Sequence, residues 1–197
     1  MFIVFEGVDR VGKTTAIENT AEELKSRGYD VVTIFESNDP IMQYIKQSNL
    51  DIDRIVYLVN SMREEHQRLI RMILDSNVIL LMDRYYDSTY VYGYESVIND
   101  SGVKPFLFNH INPDFTIYLH ADPDLIVKRI DSEIDRFTSA SISQVKKYLE
   151  RFDQLYENCG DERDVFKLDV TFLDIDTIRQ YCSDMILSRF LHKSKSI

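Results

Sequence analysis

Short apolar runs punctuate the chain at 2–5 (FIVF), 31–35 (VVTIF), 78–82 (VILLM), 115–119 (FTIYL) and 165–170 (VFKLDV), separated by longer polar-apolar stretches. Runs of this length without strict alternation predict strands buried on both faces, and their spacing predicts a parallel sheet with crossover helices. Between them, 14–27 reads as a helix ending at Gly28. The stretch 51–75 carries Ile55, Leu58, Val59, Met62, Leu69, Ile70 and Ile73 at helical spacing and reads as a long helix. Further helices are predicted over 86–99, 124–131, 142–158 and 174–191, the second opening at Asp122-Pro123. No internal repeat is visible. The segment 131–143 (DSEIDRFTSASIS) is too polar to bury much surface, and reads either as a mobile lid or as an exposed connection. Residues 192–197 (HKSKSI) read as a frayed tail.

With 197 residues and 44% hydrophobic composition the chain suffices for one sizeable core, so 1–197 is read as a single domain. A formal charge of -10 repels polyanions, which argues against nucleic acid as a partner. A small phosphorylated ligand stays compatible, because a few cations and oriented backbone N–H groups are enough to hold one. Cys159 and Cys182 lack metal-ligand spacing and form no disulfide framework, which fits a reducing cytoplasm. The longest apolar run, 78–82, falls far below the roughly 20 residues of a bilayer span, and the N-terminus has no basic start with an apolar signal core. No membrane association is expected.

The strongest chemical signal is Gly7-Val8-Asp9-Arg10-Val11-Gly12-Lys13-Thr14, which matches G-x-x-x-x-G-K-[ST] between a predicted strand and a predicted helix. Its glycines let backbone N–H groups approach phosphate oxygens at a helix N-terminus. Lys13 adds positive charge beside the β and γ phosphates, Thr14 offers a hydroxyl to Mg2+, and Thr15 a further phosphate hydrogen bond. With no Asn-Lys-x-Asp guanine-reading tetrad and a short chain, a small kinase using ATP is favoured over a GTPase or an ATP-driven machine.

A second constellation comes directly after VILLM: Asp83-Arg84-Tyr85, at the carboxyl end of a central strand, where open α/β sheets bind ligands. Asp83 suits magnesium or the orientation of an attacking oxygen, and Arg84 a bidentate grip on an acceptor phosphate; a purely structural Asp-Arg pair is the competing reading. Arg63 and His66 share a face of the long helix and could reach the same cleft. Tyr85, Tyr86, Tyr90, Tyr92 and Tyr94 could wall a base and sugar pocket or serve as packing.

FEGVDRVGKTT at the start, DRYYDSTYVYG at 83–93 and PDFTIYLHADPDLIVKRI at 113–130 together resemble the thymidylate kinase family. The resemblance implies ATP-dependent phosphorylation of dTMP to dTDP by direct in-line transfer, a P-loop NTPase-type α/β fold with a five-stranded parallel sheet and helices on both faces, a small lid, and a homodimer. It places Asp9 near the acceptor sugar and Arg10 against the transferring phosphoryl group, a role shared with Arg136 of the lid, with Arg129 at the lid's base. Arg63 would meet the base edge, Arg84 the acceptor phosphate, and Ser88 with Tyr92 the pocket that disfavours a ribose hydroxyl.

Two positions depart from the family pattern. After the second strand, where the family has a phosphate-binding arginine, the chain reads Phe35-Glu36-Ser37-Asn38-Asp39-Pro40, and the base-stacking phenylalanine position falls on Val59. They keep open a broader deoxynucleoside monophosphate kinase, a deoxynucleoside kinase, or, from another class, a nucleotide-binding regulatory protein with little catalysis.

Overall fold

In the computed structural model, which describes residues 1–74, 76–93, 98–99, 102–103, 110–129, 142–159 and 163–194, the apolar runs become strands. These are β1 (Phe2–Glu6), β2 (Val31–Phe35), β3 (Ile79–Asp83), the short β4 (Ile98–Asn99) and β5 (Gly102–Val103), β6 (Phe115–His120) and β7 (Val165–Asp169). The helices are α1 (Lys13–Ser26), α2 (Pro40–Gln47), α3 (Ile52–Leu74), α4 (Tyr86–Tyr92), α5 (Pro123–Lys128), α6 (Ile142–Glu157) and α7 (Ile175–Ser194), with a 3-10 turn at Glu36–Asn38. The main sheet has five strands in the order β2-β3-β1-β6-β7. Every pairing in it is parallel, with Phe5 opposite both Asp83 and Ile117. This is the predicted α/β architecture.

The period of two along buried strands divides the core between two faces. Phe2 and Val4 of β1 join Leu80 and Met82 of β3 under Val56 and Ile70 of α3. Ile3 and Phe5 join Ile79, Leu81 and Ile117 on the opposite face, covered by Ile17 and Leu24 of α1, Cys182 and Ile186 of α7, and Phe152 of α6. All five residues of β1 and of β3 are buried, which is why their sequences read as continuous apolar runs.

Local signals explain the helix starts. Asp122 accepts a hydrogen bond from the Asp124 N–H at 2.8 Å, with Pro123 in the first turn of α5. Asp39 does the same for α2, accepting from the Ile41 N–H at 2.8 Å ahead of Pro40. That second Asp-Pro start was not read as a helix from sequence; it opens a helix of only eight residues, little more than two turns.

The predicted helix over 86–99 is corrected. α4 stops at Tyr92, where the Gly93 N–H bonds back to the Thr89 carbonyl at 2.8 Å, and Ile98–Asn99 pairs antiparallel with Gly102–Val103. The stretch Asn99-Asp100-Ser101-Gly102 carries turn-forming residues that compete with helix continuation. α4 is anchored at both ends. Asp87 takes two hydrogen bonds from Arg163 at 2.5 and 2.9 Å and one from the Tyr156 hydroxyl at 3.0 Å, and buried Arg151 donates to the Val91 carbonyl at 2.8 Å. Most of the segment read as a lid, and its Arg136, lies outside the described residues, as does Tyr94.

Because Ile117 is fully buried against β1, Ile117→Ala leaves a cavity that its neighbours cannot fill by side-chain rotation. The expected loss is about 2–5 kcal/mol of unfolding free energy. It is read from the urea midpoint, and an unchanged midpoint would contradict this packing.

Candidate active site

Parallel strands present their carboxyl ends along one edge, and the loop from β1 to α1 leaves from the middle of it. Gly7 has φ 140°, and a Cβ there would stand 2.4 Å from the Leu119 carbonyl oxygen, so the chain can pass over β6 only as glycine. Gly12, φ 110°, precedes α1 without any side-chain cap, so the first amides of α1 turn toward the loop's interior. Arg10 also adopts a left-handed backbone, φ 65°, a conformation that costs a non-glycine residue of order 1–3 kcal/mol.

Inside the loop, Lys13 is buried and its Nζ donates to the carbonyls of Gly7 at 3.0 Å and Val8 at 2.9 Å. Burial, reinforced by the nearby Arg84 guanidinium, pushes its ammonium pKa down to about 8. The Thr14 hydroxyl donates to Asp83 Oδ2 at 3.2 Å, tying the start of α1 to the end of β3. Asp83 Oδ1 is buried and has no hydrogen-bond partner among the described residues.

Arg84 comes next in a second left-handed turn, φ 69°, its N–H bonded to the Phe5 carbonyl at 3.0 Å. The turn sends its guanidinium back toward the phosphate loop. It pairs with Asp9, donates to Ser88 Oγ at 2.9 Å and the Gly7 carbonyl at 3.3 Å, and lies 5.0 Å from the centre of the Tyr92 ring. Burial pushes the Asp9 carboxyl up, but Arg84, then Lys13 and Lys46, hold its pKa below the usual value. The Asp9 N–H donates to the Tyr92 hydroxyl at 3.1 Å.

These groups border a cavity of about 870 Å³. One end is walled by Arg129, Tyr148, Leu173 and Ile178; the other by Met42 and Lys46 of α2, Ile55, Val56, Val59 and Arg63 of α3, and Glu36. Asp9, Arg10, Val11, Gly12, Lys13, Thr14, Thr15, Asp83, Arg84, Ser88, Tyr92 and Arg129, all singled out in the sequence, meet here. Gly7 contributes its carbonyl beneath the loop, and Arg129 Nη1 reaches the Val11 carbonyl at 3.2 Å.

Arg63 is fully enclosed. Its Nε and Nη2 meet the two carboxylate oxygens of Glu36 at 2.5 and 2.8 Å, and its Nη1 meets the Thr89 hydroxyl. The buried Glu36 thus lies in the stretch after β2 where the family pattern has an arginine, and neutralises the buried Arg63. His66, which shares a helix face with Arg63 and could have reached the same cleft, lies 3.2 Å from Asp39 and is not among the residues that line the cavity. Of the tyrosine cluster, Tyr92 lines the cavity, while Tyr85 and Tyr86 pack in the core beside Phe2 and His110. Sequence reasoning missed Lys46 and Tyr148, which face the cavity from helices, and Glu36 as the partner of Arg63. It also passed over Glu6, although a carboxylate closing an otherwise apolar strand is a signal in itself.

The profile of the thymidylate kinase family matches residues 5–177. The chain belongs to the thymidylate kinase family. A thymidylate kinase from Prosthecochloris aestuarii is 28% identical over 96% of this chain and 94% of its own, and one from Leuconostoc mesenteroides 30% identical over 82% and 84%. Among solved structures, the thymidylate kinase of Candida albicans superposes with a TM-score of 0.73 at 21% identity, covering 95% of this chain and 91% of its own. In this member of the thymidylate kinase family the Glu36–Arg63 pair tests how the pocket tolerates a buried cation. Glu36→Ala leaves the guanidinium buried and unmatched, with an expected cost of about 3–5 kcal/mol. Pairing it with Arg63→Met should restore most of that stability in thermal unfolding, and a double variant as unstable as Glu36→Ala would contradict the charge-matching account.

Proposed function

We propose that the chain transfers the terminal phosphoryl group of ATP to dTMP, giving dTDP, by direct in-line displacement. The observation that carries this reading is the placement of Arg84. Its guanidinium is held beside the mouth of the phosphate loop by Asp9, Ser88 and the Gly7 carbonyl, so a second phosphate gripped there would face the end of a nucleotide phosphate chain held by the loop.

Each residue then has a physical task. The loop amides and Lys13 hold the ATP phosphates, with Gly7, Val11 and Gly12 giving the backbone its shape and Thr15 adding a hydroxyl. Arg10, together with Arg136, spreads positive charge over the transferring group, and Arg129 braces the loop carbonyls at the lid's base. Lys46 supplies cationic charge on the acceptor side, where the stretch after β2 has none. The Glu36–Arg63 pair offers hydrogen bonding without net charge, which suits the neutral carbonyl edge of a pyrimidine better than a phosphate. Val59, with Ile55 and Val56, gives the base an aliphatic wall in place of an aromatic one. Asp9 and Tyr92 border the sugar, alongside Ser88.

A magnesium ion fits the Thr14 and Asp83 oxygens: both are hard ligands, and the buried Asp83 Oδ1 lacks a protein partner among the described residues. When bound it would neutralise phosphate charge. Among the described residues no helix is long and apolar enough to cross a membrane, and Cys159 and Cys182, which are not joined in a disulfide, suit the reducing cytoplasm in which we place the enzyme. We also read it as a homodimer. Tyr57, Leu69 and Met72 stand exposed on α3, an apolar edge that a second copy would cover.

A coupled assay offering dTMP, the other nucleoside monophosphates and thymidine should give selective turnover of dTMP; turnover of thymidine alone would overturn the acceptor. Folded Lys13→Met should lose about 100-fold or more in kcat, the scale of removing one charge-stabilising group, and near-normal turnover would sink the mechanism. Sizing in solution should give near twice the 23.2 kDa of one chain, and a strictly monomeric profile would remove the dimer.

A further inference from the structure

Glu6 closes the central strand and is fully buried, and it is not among the residues that line the cavity. Among the described residues, its carboxylate hydrogen bonds run to the segment after β3. Oε1 accepts from the Tyr85 N–H at 2.7 Å and the Ser88 N–H at 3.3 Å, and Oε2 from the Ser88 hydroxyl at 2.6 Å. The Ser88 oxygen in turn accepts from Arg84 Nη1 at 2.9 Å.

We infer that Glu6 is a positioning residue that sets the grip of Arg84 on the acceptor phosphate, acting on the Arg84 backbone through Tyr85 and on its guanidinium through Ser88. The inference rests on the proposed acceptor role of Arg84.

Three features support it. The first is backbone strain: Arg84 stands at φ 69°, and the amide immediately after that left-handed turn is the one that Glu6 captures. The second is donor direction. With its proton committed to Glu6, the Ser88 hydroxyl keeps its lone pairs for Arg84, an orientation that a neutral partner would not enforce. The third is cost. Burial, then the nearby Asp87 carboxylate, pushes the Glu6 pKa up to about 7, against the pull of the Ser88 hydrogen bond, Arg84 and Arg63. Among the described residues, Lys13 and Tyr156 also feel its charge. A carboxylate maintained in such a place is answered by three donors, and all three belong to the segment that aims Arg84.

The test is calorimetric titration of the full chain with dTMP and, separately, with ATP. Glu6→Gln keeps the shape but cannot accept on both sides. It should weaken dTMP binding about tenfold, the scale of one hydrogen bond to a charged group, and leave ATP binding within twofold. Ser88→Ala, which also removes a hydroxyl that borders the acceptor pocket, should weaken dTMP binding at least as much, and the double variant should be no weaker than Ser88→Ala alone, because Glu6 acts through Ser88. Equal loss of both ligands, no loss of dTMP, or losses that multiply in the double variant would overturn the inference. If Glu6→Gln does not fold, Ser88→Ala with unchanged dTMP affinity overturns it alone. Wild-type protein that binds dTMP without phosphorylating it would refute the proposed reaction and leave this binding relay standing; wild-type protein that binds no dTMP would refute both.

Discussion

Burying a cation is tolerated only where anions or carbonyl oxygens answer it, and this constraint organises the site. Lys13 is answered by two loop carbonyls, Arg84 by Asp9 and Arg63 by Glu36. The first match closes the loop on itself, and the other two tie together segments far apart in the chain: the phosphate loop to the exit of β3, and the turn after β2 to the middle of α3. A chain of net charge -10 can therefore hold anionic ligands, because Arg10, Lys13, Lys46, Arg84 and Arg129 converge on one cavity.

The sheet makes that concentration possible. The register that sets Phe5 opposite Asp83 brings the ends of β1 and β3 level, so the loop hydroxyl of Thr14 meets Asp83 without distortion of either strand. Core packing on both faces leaves these strands no freedom to slide, since a shift of one residue would exchange Phe2 and Val4 for Ile3 and Phe5 across the sheet. Precision at the site is thus inherited from burial well away from it.

The central strands β1, β3 and β6 were legible because strands covered on both faces need continuous apolar runs, β2 and β7 because they keep apolar residues although they are only partly buried, and the phosphate loop because its turn chemistry allows few sequences. Asp83 and Arg84 were legible for a related reason: residues at the exit of a central strand must emerge at the ligand edge. The pairing of Arg63 with Glu36 was not, since it joins residues 27 apart in sequence and nothing local marks a glutamate in a 3-10 turn as the partner of a helix arginine. Lys46 was missed along with its helix, which spans little more than two turns between the segments read as strand and long helix. The over-extended helix after Tyr86 failed for the opposite reason, a polar-apolar pattern that suits a helix and is overruled by turn residues.

The contact between Gly7 and the Leu119 carbonyl has a consequence for how variants of this enzyme are interpreted. The loop rests directly on β6, which is flanked by β1 and β7, so any side chain at Gly7 must displace a strand of the sheet rather than a neighbouring loop. Chemistry and folding share that one position. A Gly7 variant is consequently a poor inactive control: its silence in an assay would report a lost scaffold as readily as a lost phosphate site, whereas Lys13 can be altered without moving a strand.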